Sequence, residues 1–193
     1  MAVSTQDRPA KNIPVVIEAV RRLIRRDYVN IKLFMTTILH EGASSYRAAV
    51  ALRESQMRLD ALSLPSLPNK EHAAFYHGAA VTVHPALFEG GDIAFPFPES
   101  VSLGTPCLVA RGPHIDEMLK SYPELAPFVF DPYDTDGLAE LIRKTIDHRD
   151  DVLRVQLGSF ERMMQRTWAH VAGEYADAVL GSASTAASRQ YRS

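Results

Sequence analysis

The sequence is short of most features that mark an unusual environment. Only one of its 193 residues is cysteine. A lone thiol, Cys107, rules out an internal disulfide, and with it a small cross-linked secreted scaffold. No apolar run approaches the roughly 20 residues needed to cross a bilayer. The opening Met1-Ala2-Val3-Ser4-Thr5-Gln6-Asp7-Arg8 has neither a charged start nor an apolar core, so it does not read as a signal peptide. Positive charge is not in excess: the net charge is −2, which argues against nucleic acid as a partner. The seven histidines show no His-x-x-x-His or comparable spacing, and no metal site is expected. A reducing cytoplasm fits these absences. Cys107 itself, within Thr-Pro-Cys-Leu-Val-Ala, reads as a buried structural thiol rather than a nucleophile.

What is present is an ordinary globular composition, 46% hydrophobic and 23% charged, long enough for one domain with a sizeable core. Val3 to Gln6 reads as the tail of a strand that lacks its beginning. Asn12 is placed to cap a helix, with Pro14 in its first turn and Val16, Ile17, Val20, Leu23 and Ile24 at helical spacing. Asn30–Thr37 alternates as a strand, and 43–57 is a weaker helix. Asp60–Leu64 is a short strand, Asn69–Tyr76 a helix and Val81–His84 a compact strand. A Gly- and Pro-rich loop runs from Pro85 to Pro98. Pro98 and Glu99 open a helix ending near Gly104. Strands at Pro106–Ala110 and Phe128–Phe130 alternate with helices at His114–Ser121 and Leu138–Asp147, the last capped by Asp134. A long helical stretch follows from Asp151 to Leu180, with Gly158 as its expected break. The Ser/Ala-rich residues 181–193 read as a disordered tail, which leaves residues 1–180 as the domain. Short strands alternating with helices imply an α/β fold, a Rossmann-like doubly wound parallel sheet. Such sheets bind ligands at the carboxyl ends of their strands.

The segment from Val81 to Pro106 carries the chemistry. Strand, glycine-bearing loop and helix in that order offer backbone N–H groups to an anion. Gly90 and Gly91 allow close approach of a ligand. Glu99, in the first turn of the helix, can accept hydrogen bonds from a ribose diol, or can simply complement the helix dipole. His84 can line a site or pack. Phe95 and Phe97 can line a pocket or pack beneath the loop. Asp134-Thr135-Asp136 matches an Asp-x-Asp metal signature, but a helix cap explains it better. Arg21, Arg22, Arg25 and Arg26 read as a solvated basic face, with a weak contact to a membrane surface as the alternative. Tyr122, Trp168 and Tyr175 read as core or interface aromatics.

His84-Pro85-Ala86, Phe88-Glu89-Gly90, Phe97-Pro98-Glu99-Ser100 and Leu103-Gly104-Thr105-Pro106 together resemble the C-terminal domain of group 1 (family 4) retaining glycosyltransferases of the GT-B fold. Arg8-Pro9-Ala10-Lys11-Asn12 is similar to that family's basic motif before its first long helix. Ala73 to Ala80, Asp131 to Asp134, Leu138 to Ile142, and Trp168 with Tyr175 follow in the family's order. Each motif alone is weak, and the shared order makes the match specific. The resemblance implies that this chain binds a nucleotide-diphosphate sugar as donor substrate, with no separate cofactor, and transfers its sugar with retention. Glu99 would hold the ribose hydroxyls. Glu89 would contact the transferred sugar. Gly90, Gly91, Asp92 and Ile93 would lie against the sugar and diphosphate. Arg8 and Lys11 would neutralise the departing diphosphate. The family places seven residues between its two glutamates and here nine intervene, so Asp92 competes with Glu89 for the sugar-contacting role. The resemblance also implies an acceptor-binding N-terminal domain, absent here and supplied in cis or in trans, and work in the cytoplasm or at the inner membrane. The alternatives are a non-catalytic nucleotide-binding module and a truncated inactive fragment.

Overall fold

A computed structural model describes residues 1–193 apart from 7, 40–45, 90–93 and 191–193, with backbone alone at 46 and 181–190. The chain divides into two units, Met1–Ser159 and Phe160–Ser193.

In the first unit six strands form one sheet: β1 (Ala2–Val3), β2 (Leu33–Met35), β3 (Ala61–Ser63), β4 (Thr82–His84), β5 (Cys107–Ala110) and β6 (Val129–Phe130). Their order is β3-β2-β1-β4-β5-β6 and every pairing is parallel. This is the doubly wound, Rossmann-like arrangement expected from the alternation of elements. The strands are shorter than the β-forming runs suggested. A residue joins the ladder only where a neighbour runs alongside, and central β1 offers only Ala2 and Val3, opposite Phe34 and Met35.

Helices cover both faces. α1 (Ile13–Arg25) follows β1, and its Ile13, Val16, Ile17, Val20 and Leu23 are all fully buried. Their three- and four-residue spacing puts them on one stripe. That stripe joins a core with Val3, Leu33, Met35, Val81, Val83 and Leu108 from the strands. α2 (Tyr46–Glu54) and α6 (Thr135–Asp147) flank α1 and add Ala48, Leu52, Leu138 and Ile142. Right-handed crossovers put α3 (Asn69–His77) and α4 (Pro96–Ser102), which contact each other, on the other face. α5 (Pro113–Ser121) follows β5 there, and the unit ends at Ser159, within α7 (Arg149–Met163). Every residue of β4 and β5 is buried, as cover on both faces requires, and β5 accordingly reads as an unbroken apolar run rather than an alternating one.

Three local expectations change. Asn12 sits before α1, but its side chain does not cap the helix. Its backbone is left-handed (φ 45°), which turns the amide away, and Nδ2 donates instead to the Pro132 carbonyl at 2.9 Å. Gly158 does not break the last helical stretch, because α7 runs through it, anchored by buried Val152, Gln156 and Ser159. The interruption falls at residues 164–167, before α8 (Trp168–Gln190). Helix α4 begins at Pro96, two residues early, and still holds Glu99 in its first turn. Asp134 does cap α6, accepting from the Gly137 N–H at 2.9 Å.

In the second unit, Trp168 and Tyr175 are exposed rather than core residues. No described helix is long and apolar enough to cross a membrane.

Candidate functional site at the switch point of the sheet

The strand order reverses direction between β1 and β4. The chain leaves β1 toward one face of the sheet and β4 toward the other. In sheets of this topology the ligand crevice lies where two such exits diverge, at the carboxyl edge. Of the sequence-predicted site residues, Lys11, Glu89 and Glu99 follow these two strands. After β1 comes a 3₁₀ turn, Pro9–Lys11, carrying Lys11. After β4 comes the loop with Glu89, and then α4 with Glu99. The two exits are tied by the Leu87 N–H donating to the Ala10 carbonyl at 2.8 Å. Gly112, after β5, closes up against them: a Cβ there would come within 2.9 Å of the Leu87 carbonyl oxygen, so only glycine fits without movement.

Lys11 and Glu89 form an ion pair through Nζ and Oε1. His84, the last residue of β4, lies beneath them, 2% exposed, with Nε2 2.9 Å from the same carboxylate oxygen. That approach is off the line of a well-directed hydrogen bond, and neither ring nitrogen has one among the described residues. Burial, opposed by Glu89 and reinforced by Lys11, holds the His84 imidazole well below its ordinary range, at about 4. Glu89 is pulled down: its own burial acts upward, but the Lys11 hydrogen bond and the neighbouring charges outweigh it. His114, at the start of α5, is a second buried imidazole with no hydrogen-bond partner among the described residues and is also lowered, chiefly by burial. At neutral pH the two imidazoles are therefore neutral. Glu89 is the anion here and Lys11 its cation.

Glu99 has a different setting. Its Oε2 accepts from the Tyr76 hydroxyl at 2.9 Å. Tyr76, on α3, is 1% exposed. Its phenol is raised above the usual range, by burial first and by the adjacent Glu99 carboxylate, so it stays a donor. The backbone under Glu99 is fixed by buried hydroxyls. Ser100 Oγ lies 2.6 Å from Thr82 Oγ1 and donates to the Thr105 carbonyl at 2.8 Å. Thr105 Oγ1 donates to the Tyr76 carbonyl at 2.9 Å. The Gly104-Thr105-Pro106 motif is thus a fastener between α3 and α4, and Gly104 at φ +80° makes the turn that allows it.

Arg8 is not drawn into this group. It is exposed and donates to Gln6 Oε1 at 2.6 Å. Gly90, Gly91, Asp92 and Ile93 lie outside the described residues. Near Glu99 the expected free N–H groups are partly spent: Phe97 N–H donates to the Ala94 carbonyl and Glu99 N–H to the Phe95 carbonyl. Phe97 packs in the core, whereas Phe95 is 80% exposed at the helix start. Cys107 is a fully buried thiol pushed up to about 12 by that burial, as its flanking residues indicated. Arg22 and Arg26 pair with Asp136, and Arg21 and Arg22 with Glu18, so most of the basic cluster is an ion-paired face. Tyr76, His114 and the Ser100–Thr105 fastener were not recognisable from the sequence pattern as site components. The available signal was polar residues inside otherwise apolar elements.

The parallel sheet order with its switch point and the helices on both faces define a Rossmann-like α/β domain of the kind found in GT-B glycosyltransferases. The chain belongs to the glycosyl transferases group 1 family, whose model matches residues 1–162. Among solved structures it is similar to the catalytic domain of cholesterol-alpha-glucosyltransferase from Helicobacter pylori (TM-score 0.62, 16% identity, 86% of this chain and 97% of that one). It is similar to sucrose-phosphate synthase from Thermosynechococcus elongatus (TM-score 0.71, 15% identity, 95% of this chain and 45% of that one). It is also similar to Anabaena HepE in complex with UDP and glucose (TM-score 0.69, 13% identity, 94% of this chain). The chain spans 48% of that last protein's length. At these identities the likeness is one of fold. A comparison with curated proteins finds no match.

Proposed function

We propose that this chain binds a nucleotide-diphosphate sugar in the switch-point crevice and supplies the donor side of a retaining glycosyl transfer. The observation that supports the reading is the Lys11–Glu89 ion pair, which joins the segments after β1 and β4, with Glu99 in the first turn of the helix that follows β4. Glu99 would accept the ribose hydroxyls. Lys11 would meet the diphosphate, whose charge grows as the sugar–phosphate bond breaks. Glu89, released from Lys11, would face the sugar. Fixed charges of this kind lower the barrier most where water is excluded, and an acceptor-binding domain across the crevice would exclude it. The UDP and glucose held by the Anabaena protein support the ligand class.

Isothermal titration with UDP, GDP and ADP tests the reading. One of them should bind the native chain, and Glu99→Ala and Lys11→Ala should each weaken it by roughly tenfold, the loss of one hydrogen bond to a charged group. No binding of any of the three by the native chain sinks the proposal. A second reading is a nucleotide-binding module without catalysis of its own. It predicts nucleotide binding with no sugar released from UDP-glucose, GDP-mannose or ADP-glucose, even with an acceptor-binding domain supplied in trans. Retention is read from the anomeric configuration of the product by NMR.

A further inference from the structure

We propose that Tyr76 is the positioning residue for Glu99, so that recognition of a ribose over a deoxyribose is set from α3 and not by the loop alone. The inference rests on the reading of Glu99 as the ribose-binding carboxylate. Three observations carry it. The Tyr76 hydroxyl donates to Oε2 of Glu99 at 2.9 Å, from a side chain that is itself 1% exposed and cannot swing away. The Tyr76 backbone is held by the Thr105 hydroxyl at 2.9 Å, in the motif that also braces Ser100, the neighbour of Glu99. The Tyr76 ring lies against His72, with centroids 4.9 Å apart, and His72 Nε2 is 2.7 Å from Ser4 Oγ at the exit of β1. The carboxylate is thus gripped at one oxygen from the protein side, while Oε1 makes no hydrogen bond among the described residues.

An ungripped glutamate has three rotatable bonds and loses conformational entropy on accepting a ligand hydroxyl. A gripped one has lost most of it already, so each hydroxyl it accepts adds more to affinity. The donor must also be a neutral phenol. A group that ionised beside Glu99 would repel the carboxylate, and burial keeps Tyr76 protonated. Phenylalanine would keep the packing and lose the grip.

The test uses the tightest binder among UDP, GDP and ADP and its 2′-deoxy analogue, titrated against the native chain, Tyr76→Phe, Glu99→Ala and the double variant. The readout is the ratio of ribo to deoxy affinity, which general loosening of the fold would not move. The native chain should favour the ribonucleotide by roughly tenfold, and Tyr76→Phe should cut that ratio to about twofold. Tyr76→Phe should make no further difference to the ratio in the Glu99→Ala background. If Glu99→Ala abolishes the ratio while Tyr76→Phe leaves it at the native value, the positioning role is overturned and the Glu99 reading survives. If Glu99→Ala leaves the ratio intact, the Glu99 reading fails and takes the inference with it. Should Tyr76→Phe not fold, Glu99→Asp replaces it. The shorter side chain keeps the charge and leaves the reach of Tyr76, and a ratio retained by Glu99→Asp overturns the proposal.

Discussion

At the scale of single residues, the site rests on buried polar groups that a sequence pattern does not display. His84 is the clearest case. It ends β4 at a position read equally well as packing or as site lining: the ring is buried, and Nε2 lies 2.9 Å from Glu89 Oε1. Its folded pKa, about 4, lies below the ordinary 6.5. Between those two values the unfolded chain takes up a proton that the folded chain does not, so stability falls as pH drops through that window. His84→Leu should therefore flatten the loss of stability between pH 6.5 and 4.5, followed by urea denaturation at each pH. A slope identical to that of the native chain would show that the imidazole titrates elsewhere. His114 is lowered too, so some slope should remain. The Lys11–Glu89 pair was legible as two separate candidates, 78 residues apart in the chain. Their meeting was not legible, because it depends on where β1 and β4 lie in the sheet.

At the scale of elements, periodicity located nearly every helix and strand, while their ends moved by a few residues. The ends are set by pairing and capping partners that lie elsewhere in the chain. Gln156 shows how far such partners reach. It sits on α7, fully buried, and its side-chain amide bridges the backbone of β5: Oε1 accepts from the Cys107 N–H at 2.9 Å and Nε2 donates to the Cys107 carbonyl at 2.7 Å. β6 pairs with β5 only from Val109 onward, so Gln156 completes the ladder where β6 has not yet arrived. Gln156→Ala should cost roughly 2–4 kcal/mol in denaturant unfolding, since two buried backbone groups lose their partners. A change under about 0.5 kcal/mol would mean that the bridge is not needed. In sequence, Gln156 looks like any polar residue on an amphipathic helix.

At the scale of the whole molecule, the chain divides after Ser159, within α7, and the residues between α7 and α8 are exposed. Met164 is 64% exposed and residues 165–167 are exposed with it. Brief trypsin treatment should cut first at Arg162 or Arg166, leaving the six-stranded unit intact. Mass spectrometry identifies the first product, and a first cut within residues 81–130 would contradict this division. The alternation of short apolar runs with amphipathic stretches was enough to dictate a parallel α/β sheet with both faces covered, because periodicity is a local property that burial imposes residue by residue. The order of motifs was enough to indicate the family. Which strand lies beside which, and so which loops share the crevice, came from packing between segments far apart in the chain. So did the Lys11–Glu89 pair, the isolation of Arg8 from it and the grip of Tyr76 on Glu99. Those contacts depend on distances in space, and a linear pattern of residue types carries no record of them until the chain has folded.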